Sequence, residues 1–178
     1  MFEITEKDLL LVIDMQNAYL PENPWGCERI REAAAYIQYT IERFPENQRC
    51  FTSFLPSDNP DGVWKEYNKQ NQKINRNEWM NEYVKELKPY ITDQNFYTKS
   101  MYSCCKNEEL KKRIDLYERV FVTGVVAECC VLSSVMELVD LGKKVMYLTK
   151  GIAGVSRKKE QMVIRLLEGM SPLHIIFC

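Results

Sequence analysis

Three residues of this chain carry the groups of a nucleophilic site, and each is tied to the end of an apolar run. Asp14 follows Leu9-Leu-Leu-Val-Ile13, Lys99 follows Asn95-Phe-Tyr-Thr98, and Cys130 comes six residues after Gly124, which closes Arg119-Val-Phe-Val-Thr-Gly124. Free cysteine, with a pKa of about 8.5, is only a few per cent thiolate near neutral pH, so a nucleophilic thiol needs a proton acceptor and a positive neighbour. Asp14 can take the proton and later return it to a leaving amine. Lys99 can stabilise a sulfur anion and hold the carboxylate in place. Cys130 opens a stretch with helical spacing, and the amides and dipole of a helix start favour a thiolate there. The amides of Val126 and Cys130 are the donors within reach of an anionic tetrahedral intermediate. Taken singly, the three have plainer explanations: a polar strand end, a solvated lysine and a small buried hydrophobe.

These residues converge only if the elements that carry them are parallel strands of one sheet. The pattern predicts strands at residues 9–14, 49–55, 95–99, 119–124, 144–149 and 174–178. Helices are expected at 28–44, 78–90, 108–117, 128–141 and 158–169. Short runs of Val, Ile and Leu alternating with amphipathic helices imply right-handed βαβ crossovers and a parallel sheet covered on both faces. The fold class is α/β, one domain spanning 1–178. The least regular stretches are 19–26 and 56–77, loops placed where open parallel sheets bind ligands, beyond the carboxyl ends of the strands. Their aromatics Tyr19, Trp25, Trp64 and Tyr67, with Tyr102 beside the lysine, are candidates to line a pocket.

Composition narrows the class. The chain has 178 residues, 46% of them hydrophobic, and a formal net charge of -1, which does not suit a binder of duplex nucleic acid. No apolar run approaches the roughly 18 to 20 residues of a membrane span, and the first residues lack the features of an export signal. A soluble, cytoplasmic protein is expected. Seven cysteines, an odd number with two adjacent pairs, read as reduced thiols. No C-x2-C spacing occurs and the one histidine, His174, lies in the last apolar run, so neither a metal nor another cofactor is expected.

Val12-Ile-Asp14-Met-Gln-Asn17, Lys99-Ser-Met-Tyr-Ser103 and Gly124-Val-Val-Ala-Glu-Cys-Cys130-Val131 together resemble the three motifs of the isochorismatase-like cysteine hydrolases, in order and separation. The resemblance covers nearly the whole chain. It implies a three-layer α/β/α sandwich around a six-stranded, mostly parallel sheet, and usually a homo-oligomer. It also implies a catalytic triad of Asp14, Lys99 and Cys130, with a cis peptide at Val125–Val126 ahead of the oxyanion-hole amide. The motif selects Cys130 rather than its neighbour Cys129, whose side chain leaves the helix about 100° away.

Departures from the family pattern bear on the substrate. Nicotinamidases of the family carry an Asp and His metal cluster after the second strand, whereas this chain reads Thr52-Ser-Phe-Leu-Pro-Ser57 there. Isochorismatase proper lacks the cysteine, so vinyl-ether cleavage fits poorly. Asn17-Ala18 replaces the commoner Asn-Asp, and Cys105 stands where an aromatic is usual. The reading is a metal-independent hydrolase of a C–N bond in a compact, partly apolar amide or carbamoyl compound. Two other classes stay open: a catalytically quiet binding protein, and a thiol redox sensor using Cys129–Cys130 or Cys104–Cys105.

Overall fold

The computed structural model describes residues 3–178; the first two residues of the stretch read as lacking an export signal lie outside the described residues. Asp8–Ile13 (β1) is buried along its whole length. Its side chains divide by the two-residue period of a strand: Leu10 and Val12 join one core cluster, and Leu9, Leu11 and Ile13 the other. Among the described residues β1 is joined by β2 (Arg49–Phe54), β3 (Phe96–Lys99), β4 (Arg119–Gly124), β5 (Lys144–Ile152) and β6 (Ile175–Phe177). All pairings are parallel, in the order β3-β2-β1-β4-β5-β6.

The helices are α1 (Ile30–Ile41), α2 (Trp64–Gln70), α3 (Gln72–Asn75), α4 (Glu78–Asn81), α5 (Glu108–Asp115), α6 (Leu132–Asp140) and α7 (Arg157–Glu168). Ile30, Ala33, Ile37 and Ile41 pack α1 into the first core. Leu110 and Ile114 of α5, Val135 and Leu138 of α6, and Val163 and Leu167 of α7 fill the second. The result is the expected three-layer α/β/α sandwich. Right-handed crossovers put helices on opposite faces when the chain winds outward from β1 in both directions. No helix among the described residues is long and apolar enough to cross a membrane.

Two stretches differ from expectation. The helix predicted over 78–90 ends after α4 at Asn81, and Tyr83 instead bridges to Gln16. Its carbonyls are taken by another segment: Asn17 Nδ2 donates to Trp79 O (2.9 Å), Gln16 Nε2 to Asn81 O (3.1 Å) and Asn17 N to Glu82 O (2.8 Å). Pro89 lacks an N–H and disfavours helix before it. The predicted loop 56–77 contains α2 and α3. Gly124 closes the sheet at the critical point. Its φ is +113°, and a Cβ there would lie 2.1 Å from the Ile13 carbonyl oxygen, so only glycine lets the ends of β1 and β4 approach this closely.

Candidate active site

The strand order reverses between β1 and β4, and a crevice at such a switch point is where open α/β sheets bind ligands. Asp14 leaves β1 there with φ +52°, a left-handed conformation that a residue with a Cβ adopts only when its surroundings hold it. Thr52 does so twice: its carbonyl accepts from the Asp14 amide (3.0 Å) and its hydroxyl donates to Asp14 Oδ1 (2.8 Å). Tyr83 donates to the same Thr52 carbonyl (2.7 Å), fixing that end of β2.

Lys99 leaves β3, two strands away from β1. Adjacent strands lie about 4.8 Å apart, so its ammonium meets Asp14 only by reaching across the end of β2. The stem passes Phe54, whose ring centroid is 5.4 Å from Nζ. Nζ lies 2.6 Å from Asp14 Oδ2 and donates to Cys130 Sγ (3.4 Å) and to the Met101 carbonyl (3.0 Å). The contact to Asp14 is close enough for an ion pair but outside the angles of a directed hydrogen bond, leaving Oδ2 without one. Both side chains are essentially dry, at 1% and 0% exposure.

The segment carrying the sulfur is not a plain helix start. The peptide between Val125 and Val126 is cis, at the position the resemblance implied. Ala127–Val131 then forms a wide π turn ahead of α6, with Val131 N donating to Val126 O (3.1 Å). Such turns recur at functional sites. Val125 N donates to Ile13 O and Ala127 N to Ala153 O, each at 2.9 Å, whereas no hydrogen bond is found for the Val126 amide among the described residues. Ser134 Oγ donates to the Cys130 carbonyl (2.7 Å). Cys130 belongs to the second core cluster while half-buried Cys129 packs against the first, so the adjacent thiols sit in separate environments.

The electrostatics modify the expectation of a resting thiolate. Burial, reinforced by the Asp14 carboxylate, pushes the Cys130 thiol well above its ordinary pKa, and Lys99 opposes this only in part. Burial also acts to lower the Lys99 ammonium, but the Asp14 carboxylate beside it outweighs this and holds Lys99 above the usual lysine range. Helix-start amides alone do not decide the state of a thiol that is 3% exposed beside a carboxylate.

All five aromatics singled out from the sequence join one cluster. Tyr19 meets Trp25 (5.5 Å between centroids), Trp25 meets Phe54 (5.9 Å), Phe54 meets Trp64 (6.3 Å) and Tyr67 (6.5 Å), and Trp64 meets Tyr102 (5.0 Å). Phe54, at the hub, was missed, although it ends β2 as Lys99 ends β3. Thr52 was also missed because threonine is unremarkable within a strand. Cys104 and Cys105 are both buried.

The isochorismatase domain model matches residues 8–173. The chain belongs to the isochorismatase family of hydrolases. No curated protein sequence matches it. Among solved structures, an isochorismatase family protein from Desulfovibrio vulgaris superposes with TM-score 0.79 at 15% identity, covering 93% of this chain and 92% of that one. An isochorismatase-like hydrolase from Alkaliphilus metalliredigens gives 0.73 at 20% identity, covering 96% and 92%. A pyrazinamidase of Pyrococcus horikoshii, solved with zinc, gives 0.74 at 18% identity, covering 97% and 98%. At these identities the likeness speaks for the fold.

A zinc ion does not fit the donors here. Beyond β2 the chain reads Leu55-Pro56-Ser57-Asp58, and no group of three or more His, Cys, Asp or Glu among the described residues is placed to hold a metal. His174 is exposed just before β6, at the opposite end of the sheet.

Proposed function

We propose that this family member is a metal-independent cysteine hydrolase that cleaves the C–N bond of a small amide or carbamoyl compound. The observation that carries the reading is the Lys99 ammonium, 2.6 Å from Asp14 Oδ2 and 3.4 Å from Cys130 Sγ in a dry site. Asp14 Oδ2, which lacks a directed hydrogen bond, accepts the thiol proton as sulfur bonds to the substrate carbonyl. The carbonyl oxygen becomes an anion facing the amides of Val126 and Cys130. Its collapse breaks the C–N bond, and the amine leaves with the proton from Asp14. Water then attacks the thioester, giving its proton to Asp14, and the acid departs as the thiol is restored. Lys99, held charged, serves as a fixed cation and not as the base.

The test is intact-mass detection of an acyl adduct across a library of small amides and ureas. A transient adduct on Cys130, absent in Cys130→Ser, is expected. A library that is turned over equally well by Cys130→Ser would sink the reading.

A further inference from the structure

Glu160 lies on the inward face of α7, one turn before Val163 and two before Leu167, where the second core would take an apolar residue. It is buried and paired instead: Oε2 accepts from Arg29 Nε (2.9 Å) and Oε1 from the Gly154 amide (3.0 Å). Arg29 stands just ahead of α1, and its side chain is 15% exposed. Its Nη2 reaches the end of β5 and donates to the carbonyls of Ile152 (2.9 Å) and Thr149 (3.4 Å). A buried ion pair contributes little net stability, because desolvation offsets the attraction. This pair holds backbone, and the backbone it holds is irregular. β5 is level with β4 at Val122 and Tyr147 and next at Gly124 and Ile152, so residues 148–151 stand opposite Thr123 alone. Such a bulge re-aims the chain that follows it.

Between the two clamped groups, the Ile152 carbonyl and the Gly154 amide, stands the buried Ala153. Its amide donates to Gly124 O (3.1 Å) and its carbonyl accepts from Ala127 N (2.9 Å). Ala153 therefore grips both ends of the segment 124–127, which presents the Val126 amide to the sulfur's surroundings. From the β1 side the same segment is fixed by Val125 N donating to Ile13 O (2.9 Å). Gly154 has no slack against it: a Cβ there would lie 2.5 Å from Glu128 Oε2 and 3.3 Å from the Ala127 Cβ.

We propose that Glu160, joined to Arg29, is a positioning residue for the hydrolysis: through Ala153 it sets the place of the Val126 amide that receives the substrate oxygen. This rests on the reading of Cys130 as the nucleophile. Neither Glu160 nor Arg29 touches the substrate. Attack of sulfur on a carbonyl puts negative charge on oxygen and so depends on that amide. Displacement of iodide from a saturated carbon by the same sulfur puts no charge there. The two reactions of one thiol therefore separate the placing of the amide from the state of the sulfur.

The test compares two rates at Cys130 in the unaltered protein and in Glu160→Gln. One is acylation by p-nitrophenyl acetate, read by release of p-nitrophenol and by intact mass; the other is alkylation by iodoacetamide, read by peptide mapping. The glutamine can still accept from Gly154 but turns an N–H toward the guanidinium, so the hold on Ile152 is lost. Acylation is expected to fall about ten- to a hundredfold, as for a displaced oxyanion donor, while alkylation stays within about twofold. Arg29→Lys keeps the charge without the planar fork. It is expected to give the same selective loss, and it serves if Glu160→Gln does not fold. An unchanged ratio of the two rates, whether both fall together or neither moves, would overturn the inference alone. If the unaltered protein forms no acyl adduct beyond that of Cys130→Ala, the nucleophile reading fails and the inference goes with it.

Discussion

Lys99 divides its ammonium among a carboxylate, a sulfur and a carbonyl, so each partner restrains the other two. Asp14 depends equally on Thr52, whose hydroxyl is the donor to Oδ1. Thr52→Val keeps the shape but leaves a buried carboxylate oxygen unpaired. It should cost about 1 to 3 kcal/mol of stability, read by denaturant unfolding, and slow acylation of Cys130. Asp14 and Lys99 stood out in the sequence as polar residues that end apolar runs, whereas Cys130 was separated from Cys129 by the motif that the chain resembles. Thr52 and Phe54 were not legible, since both are ordinary strand formers whose contacts arise only when β1, β2 and β3 are side by side. The protonation of Cys130 was not legible either. It depends on burial, which no spacing of residues reports.

At the scale of elements, α2 is the covering layer. None of its residues is buried, and the ring contacts of Trp64 and Tyr67, with the Trp25–Asn71 hydrogen bond, attach it to the body. Trp64→Ala should loosen that cover and raise the rate of Cys130 alkylation by iodoacetamide about tenfold, as a cover opening more readily by about 1.4 kcal/mol would. Peptide mapping by mass spectrometry gives the rate, and an unchanged rate would show that α2 does not control access. The sequence placed the strands well because parallel, doubly covered strands are continuous apolar runs. It misplaced the segment beyond Glu78 because Met80, Tyr83, Val84 and Leu87 have helical spacing. The side chains of Gln16 and Asn17, far earlier in the chain, claim the carbonyls that a continued helix would use.

The whole molecule concentrates thiols in its interior. Burial pushes Cys50 up to about 12 and holds Cys27 and Cys130 well above the ordinary thiol range. A raised folded-state pKa means that the unfolded chain releases its thiol protons first. The stability these groups contribute is intact below about pH 9 and declines above it, by up to about 1.4 kcal/mol per pH unit for each thiol. Denaturant midpoints at constant ionic strength should be flat from pH 7 to 8.5 and fall steeply beyond 9. A midpoint that holds steady past pH 10 would contradict the burial of these thiols. The ring cluster has a further use. Two of the three tryptophans, Trp25 and Trp64, belong to it, while Trp79 is half exposed on α4. The protein thus carries a built-in optical reporter: any compound sliding between the indoles should quench or shift their emission, so occupancy can be followed in unlabelled protein, before any product is known.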